Sequence, residues 1–585
     1  MGIGETVRMV TRMGQALPRI AARRVNLDLL LDRHAATRPD ATAIAFEDSV
    51  ISYRELRDRS HQYARFFAEQ GIEKGDRVVV LFDNRPDFLF VFHGLQRLGA
   101  IAALVNTSLT GTPLAHVVRI AEAKLLVLGS EHAHKLESLA KDIPELDVSR
   151  EVFVHQETES DPIGHARSIN AEVDRQSSDP MPRLPINGSD HCAYIYTSGT
   201  TGLPKAAVIA HYKLGMSGAM AGNVLHRISP GELIYVALPL YHSNALMLGW
   251  SAALSTGAGI ALRRKFSARE FFPDLRRFGA TNFIYIGELC RYLLNSPPQE
   301  GESEHSVRAI AGNGMRPDVW EAFQDRFKIP IVREIYGATE GTGMLINFSG
   351  RPGMVGKLVP GMTIIRCDQE TGDIDRTANG FCEKVSAGDT GLLVSAINRV
   401  STFEGYLDKK ASEGKILTDV FKKGDTYFNT GDLLKLHEGK WVSFVDRVGD
   451  TFRWKGENVS TNEVAEVVNA GPGVVETNVY GVEITGCEGR AGMAAIQVVD
   501  DFDPDALARY VAAELPVFQR PLFLRIKTAE HEVTGTFKHQ KVKSRNERFD
   551  PDQLSEPLYY LDGNRYLPVD ALAFRAIESG EIRPG

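Results

Sequence analysis

The sequence predicts an α/β protein: a large N-terminal domain of helix-covered sheets, followed by a small α+β C-terminal domain. Three observations carry that expectation. Apolar strand-like runs alternate with amphipathic helices through the first third, the pattern of parallel sheets covered by helices. The chain has 585 residues, several times the usual domain size of about 150. Near residue 450 a dense run of charge and glycine precedes a shorter set of strands and helices.

The elements follow in order. Ala43–Phe46 and Val50–Tyr53 read as short strands. Ser52 and Glu55 form a capping box that opens a helix carrying Leu56, Tyr63, Phe66 and Phe67, with Gly71 as its stop. Arg77–Leu81 is a strand, Pro86–Leu98 a helix and Ile101–Val105 a strand. Leu114–Ala123 and Lys124–Leu128 repeat the unit. The polar segment from Gln156 to Asn187 reads as a surface connection. In the small domain Ser460 and Glu463 cap a helix through about Val468. Val474–Val482 and Met493–Val499 are strands, Pro504–Leu515 a helix and Leu522–Ile526 a strand. Beyond Phe549 a tail is expected, with Tyr559, Tyr560 and Leu561 able to pack back. The expected division is a leader at 1–25, a large domain at 26–447 and a small domain at 448–585.

Composition narrows the function. Apolar residues make up 43% and charged residues 24%, which excludes wholesale disorder. A net charge of −8 gives no support for a nucleic-acid partner. The five cysteines form no CxxC, so neither a disulfide framework nor a cysteine-rich zinc site is indicated. A reducing, cytoplasmic setting is the simpler reading.

Leu233–Leu262 holds no Asp, Glu, Lys or Arg. Its proline, histidine and glycines fit a buried strand, turn, helix and second strand better than a membrane span. At the start, Val7, Val10, Leu17 and Ile20 share a stripe apart from Arg8, Arg12, Arg19, Arg23 and Arg24. Two readings fit equally: a basic helix lying on the inner face of an anionic membrane, or a leader packed on the body. Met1-Gly2 with Thr6 also matches a short myristoylation pattern.

Five motifs carry chemistry. In the first, an apolar strand runs into Thr197, Ser198, Gly199, Thr200, Thr201 and Gly202, then Lys205 and a second apolar strand. Glycines let backbone amides converge on an anion, and hydroxyls and a lysine add donors and charge. It is a phosphate-cradling loop without the Walker A spacing. Tyr336-Gly337-Ala338-Thr339-Glu340 follows a strand; its aromatic can stack on a base and its carboxylate can hold Mg²⁺. In Thr430-Gly431-Asp432 the carboxylate suits a ribose diol, though taken alone the stretch reads better as an Asx turn. Arg447, Gly449 and Asp450 stand at the domain boundary. Lys538 lies on a polar turn of the small domain, where a lone lysine is ordinarily just solvated.

Together and in this order, these motifs resemble those of the adenylate-forming superfamily. Phe452–Thr461 and Thr534–Lys538 are similar to its fatty acid transport protein / very-long-chain acyl-CoA synthetase branch. The resemblance runs from about Asn26 onward. It implies ATP-dependent activation of a long-chain or very-long-chain fatty acid through an acyl-adenylate, then transfer to CoA. ATP and Mg²⁺ would serve the first step and CoA the second. It implies that Thr197–Lys205 hold the β- and γ-phosphates and that Thr200 and Glu340 lie by Mg²⁺. Tyr336 would stack on adenine, with Gly312, Asn313 and Gly314 lining that pocket. Asp432 and Arg447 would take the ribose. Lys538 would reach the α-phosphate and acyl carboxylate.

His242 would lie near that carboxylate, although a satisfied core histidine fits as well. Tyr285 would help line the acyl pocket. Relatives place Asp or Lys where this chain has Gly449, which puts the expected hinge at Gly449 and Asp450. Three alternatives stay open: a ligase for a sterol-derived or other bulky acid, a fatty acyl-AMP ligase, and a fatty-acid uptake protein working by vectorial acylation.

Overall fold

In a computed structural model, the described residues are 26–197, 203–369, 371–398, 401–454, 457–485, 487, 489–527 and 541–585. The leader at 1–25 and its expected helix lie outside them.

Two mainly parallel sheets form the body. The first has seven strands, ordered in space as Arg167–Ser168, Val152–His155, Leu125–Gly129, Arg77–Leu81, Ile101–Leu104, His191–Thr197 and Lys205–Ala210. All pairs are parallel except the last. The second has eight strands. Its parallel centre runs Val332–Gly337, Ala309–Asn313, Asn282–Ile286, Leu233–Val236, Gly259–Leu262 and Thr42–Phe46. Antiparallel Met344–Asn347 and Ser49–Ser52 close its two ends.

Helices Tyr53–Glu69 and Pro86–Leu98 contribute to the core that spans both sheets. Pro86–Leu98 is buried almost all round, which marks a helix inside a large core rather than on its surface. Gly94 lets the two helices meet: a Cβ there would lie 2.8 Å from Cβ of Tyr63. The uncharged run Leu233–Leu262 forms strand Leu233–Val236, a π-helical turn Asn244–Trp250, helix Ser251–Thr256 and strand Gly259–Leu262. No helix among the described residues is long and apolar enough to cross a membrane.

A third, antiparallel sheet of six strands is built within residues 356–447. The C-terminal domain has its own buried cluster, from Phe452 to Ile577. Its five-stranded sheet runs from Val474–Val482 to Arg565–Pro568. The tail expected beyond Phe549 is instead part of that sheet. Leu558–Asp562 pairs with Phe523–Ile526, Arg565–Pro568 completes a hairpin, and Phe549 stacks on Phe523 at 4.0 Å. The connection from Gln156 to Asn187 likewise carries a short edge strand and the helix Asn170–Asp174.

Candidate active site

The phosphate-loop motif is framed as its flanking apolar runs require. Thr197 ends one strand, Lys205 begins the next, and the two are register partners. Ser198, Gly199, Thr200, Thr201 and Gly202 lie outside the described residues, as does Lys538.

Tyr336 sits near the end of strand Val332–Gly337, half-buried. Its hydroxyl donates to Oδ2 of Asp432 at 2.5 Å. Asp432 lies in strand Thr426–Leu436, opposite Arg447 of strand Trp441–Arg447. Arg447 Nε stands 3.4 Å from Asp432 Oδ1. Residues 336, 432 and 447 thus meet where the eight-stranded sheet abuts the antiparallel one. Burial and the Asp432 carboxylate push the Tyr336 phenol well above its ordinary range, so it serves as a neutral donor.

Glu340 is held from two sides. Segment 405–407 pairs onto the Lys205–Ala210 strand, through Val208 N to Gly405 O and Leu407 N to Ala206 O. That pairing presents the Tyr406 hydroxyl to Glu340 Oε1 at 2.5 Å. Lys213 donates to the backbone oxygens of Glu340 and Gly341 at 3.3 and 3.4 Å, and pairs with Glu404 at 2.7 Å. Burial opposes the Glu404 charge, yet Lys213 holds its carboxyl below the usual range. Glu340 Oε2 has no hydrogen-bond partner among the described residues, and a half-buried carboxylate oxygen is a fitting ligand for a hard cation such as Mg²⁺.

The segment carrying His242 is tied to the nucleotide side. Ser243 Oγ lies 2.9 Å from Thr339 Oγ1, and Asn244 Nδ2 donates to Asn313 Oδ1 at 3.0 Å. His242 is half-buried just before the π-helical turn. Asn313 and Gly314 are exposed and Gly312 is buried. Tyr285, expected at the acyl pocket, is fully buried, and its hydroxyl lies against Glu334. Gly337 is exposed and Thr339 half-buried. Gly449 adopts φ +83°, and Asp450 pairs with Arg545 at 3.0 Å.

Sequence reasoning missed Lys213, Tyr406, Lys415 and Glu334. The half-buried Lys415 ammonium lies 3.4 Å from Thr430 O. Burial lowers its pKa against the pull of Glu340 and Asp432. None of the four stands in a motif: strand pairing brings in Glu334 and the segment of Tyr406, helix His211–Met220 carries Lys213, and the turn before strand Ile416–Thr418 carries Lys415.

A family model described as AMP-binding enzyme matches residues 31–407. The chain belongs to the AMP-binding enzyme family. Among curated relatives, mouse long-chain fatty acid transport protein 6 is 38% identical over 94% of this chain and 90% of its own length. The medium/long-chain-fatty-acid–CoA ligase FadD6 of Mycobacterium tuberculosis is 37% identical over the same shares. Among solved structures, an anthranilate CoA ligase bound to anthranoyl-AMP aligns with a TM-score of 0.76 at 21% identity, covering 89% of this chain and 96% of its own. ATP-bound MatB of Rhodopseudomonas palustris aligns at 0.73 and 23% identity, covering 89% and 98%. These likenesses share the large N-terminal and smaller C-terminal domains. Within the family the chain falls in the fatty acid transport protein branch. It is an AMP-forming acyl-CoA ligase, acting through an acyl-adenylate.

Proposed function

We propose that the protein converts long-chain or very-long-chain fatty acids to acyl-CoA at the site around Tyr336, Glu340 and Asp432. The observation that carries this reading is the meeting of Tyr336 and Asp432 with Arg447, on whose charge Glu340 also acts, together with the likeness to fatty acid transport proteins and a fatty-acid–CoA ligase.

Step one sets an anionic carboxylate against a polyanionic phosphate. The chain's task is to offset that repulsion with cations and oriented donors. Lys205 and the loop after Thr197 are assigned the β- and γ-phosphates. Tyr336 takes the adenine face, with residues 312–314 beside it, and Asp432 and Arg447 take the ribose. Glu340 with Thr200 would hold Mg²⁺, which screens phosphate charge when bound. Lys538 is assigned the α-phosphate and the acyl carboxylate. No general base is needed, because a carboxylic acid of pKa about 4.3 is already ionised near neutrality. Rotation near Gly449 and Asp450 would then exchange Lys538 for the face that begins at Phe452, which guides CoA.

The name of the transport-protein relatives favours one extension: uptake driven by acylation, with the basic leader on a membrane. An inactive Glu340→Ala variant should then lose uptake together with catalysis. The direct test of the main reading is CoA-dependent AMP release across fatty acids of increasing length. Activity should rise into the long-chain range; activity confined to short or aromatic acids would overturn it.

A further inference from the structure

Three neighbouring strands bring Tyr285, Gly312 and Glu334 to one level: Tyr285 pairs with Gly312, and Gly312 with Glu334. The middle position has no side chain. A Cβ on Gly312 would lie 2.0 Å from Tyr285 O and 2.7 Å from Tyr285 Cγ. The bare strand therefore lets the phenol cross over it to the third strand. There the Tyr285 oxygen lies 2.6 Å from Glu334 Oε2 and 3.2 Å from Arg333 O. The same carboxyl group caps the turn that follows the middle strand. Gly314 N donates to Oε1, and Met315 N to Oε2 at 3.4 Å. Gly314 holds φ +80° in that turn. Glu334 is 3% exposed, and no cation pairs with it among the described residues.

A phenol has one proton to donate, and two acceptors face this one. Both contacts are satisfied together when the carboxyl group is itself protonated. Glu334 then donates through Oε2 to the Tyr285 oxygen, Tyr285 donates to Arg333 O, and Oε1 accepts from Gly314.

We propose that Glu334 is a neutral carboxylic acid which, with Tyr285 reaching across Gly312, is a positioning residue for the Gly314–Met315 turn beside the adenine pocket.

The surroundings agree. Burial pushes the Glu334 carboxyl up to about 8, against the pull of Tyr285 and the two amides. The groups facing it are of the same kind. Helix Gly287–Asn295 offers Cys290, whose thiol burial pushes well above its ordinary range. Strand Met344–Asn347 offers no titratable group. Arg333 is adjacent in the chain, but its guanidinium donates to Leu225 O. The sign of the pH effect follows. Stabilisation of the neutral form is fully present below the ordinary glutamate pKa of about 4.3 and is lost as pH rises through about 8.

The inference rests on the placement of adenine beside Tyr336. The experiment measures KM for ATP, KM for fatty acid and melting temperature against pH, for wild type, Glu334→Gln, Glu334→Ala, Tyr285→Phe and Tyr336→Ala. Glutamine reproduces the neutral acid as donor and acceptor. Wild type should show a KM for ATP that rises above pH about 8, and Glu334→Gln should keep the wild-type KM near neutrality and lose that rise. It should also gain on wild type in melting temperature as pH rises from about 4.3 to about 8. Glu334→Ala and Tyr285→Phe should raise KM for ATP about three- to tenfold, the effect of an ordinary hydrogen bond lost, with KM for the acid unchanged.

If Glu334→Gln raises KM for ATP as much as Glu334→Ala, the carboxylate is the working form and the proposal is overturned. If Tyr336→Ala raises that KM while no Glu334 or Tyr285 variant does, the turn does not depend on this pair and the proposal again fails. If Tyr336→Ala leaves it unchanged, the adenine placement itself is wrong.

Discussion

Asn84 commits its whole side chain to backbone groups far along the chain. Its Nδ2 donates to Leu238 O and Arg263 O at 2.9 and 3.0 Å, and its Oδ1 accepts from Leu240 N at 2.8 Å. It is 4% exposed. The turn it holds runs on to His242, so one buried amide links the seven-stranded sheet to the segment expected at the acyl carboxylate. Removing it leaves three buried backbone groups without that partner. Asn84→Ala should cost about 3 kcal/mol and lower the melting temperature by several degrees. Calorimetry checks the stability, and a raised KM for the acid checks the positioning. Asn84→Asp should do no better, because a carboxylate cannot donate to two carbonyls. At this scale the sequence exposes what is local. The Ser52 and Ser460 caps bond Glu55 N and Glu463 N as their spacing requires. Tyr406 was not legible, because its partner Glu340 is 66 positions away and only strand pairing joins them. The apolar-pocket role expected for Tyr285 missed its polar partner for the same reason.

Elements follow the same rule. Arg77–Leu81, Pro86–Leu98 and Val474–Val482 fall where hydrophobic periodicity and turn residues put them. The C-terminal hairpin was not legible, since a strand is completed by partners that periodicity does not name. The linker is where the proposed domain rotation is placed. Gly449 holds φ +83°, and a Cβ there would touch nothing within 4 Å. Shape therefore permits any side chain, while the backbone angle favours glycine. Proline, fixed near −65°, cannot adopt it. Just before it, Asp446 accepts from Thr461 N and Oγ1 at 2.8 and 2.7 Å, and from Asn462 Nδ2. Rotation near residue 449 must release these bonds. Gly449→Pro should impair the thioester step more than adenylation, as measured by single-turnover assays of each half-reaction. Loss confined to adenylation would move the hinge elsewhere.

For the whole molecule, the two half-reactions make different demands on one nucleotide site. The body is assigned that site: there Thr197 and Lys205 are register partners, Tyr336 lies against Asp432, and Glu340 is held by Tyr406 and Lys213. The C-terminal domain, with a core of its own, is assigned the lysine. The motifs suggest this division of labour from the sequence alone, because each is a short stretch with distinct chemistry. How the sheets bring them together was not. The most direct test is acid-dependent exchange of pyrophosphate into ATP, compared between wild type and Lys538→Ala, beside thioester formation from supplied acyl-AMP. Wild type should exchange only when a fatty acid is present. The variant should lose about 10²–10³ of that rate, as on removing a transition-state donor, and keep thioester formation. Exchange that ignores the fatty acid, or equal loss of both steps, would contradict the account.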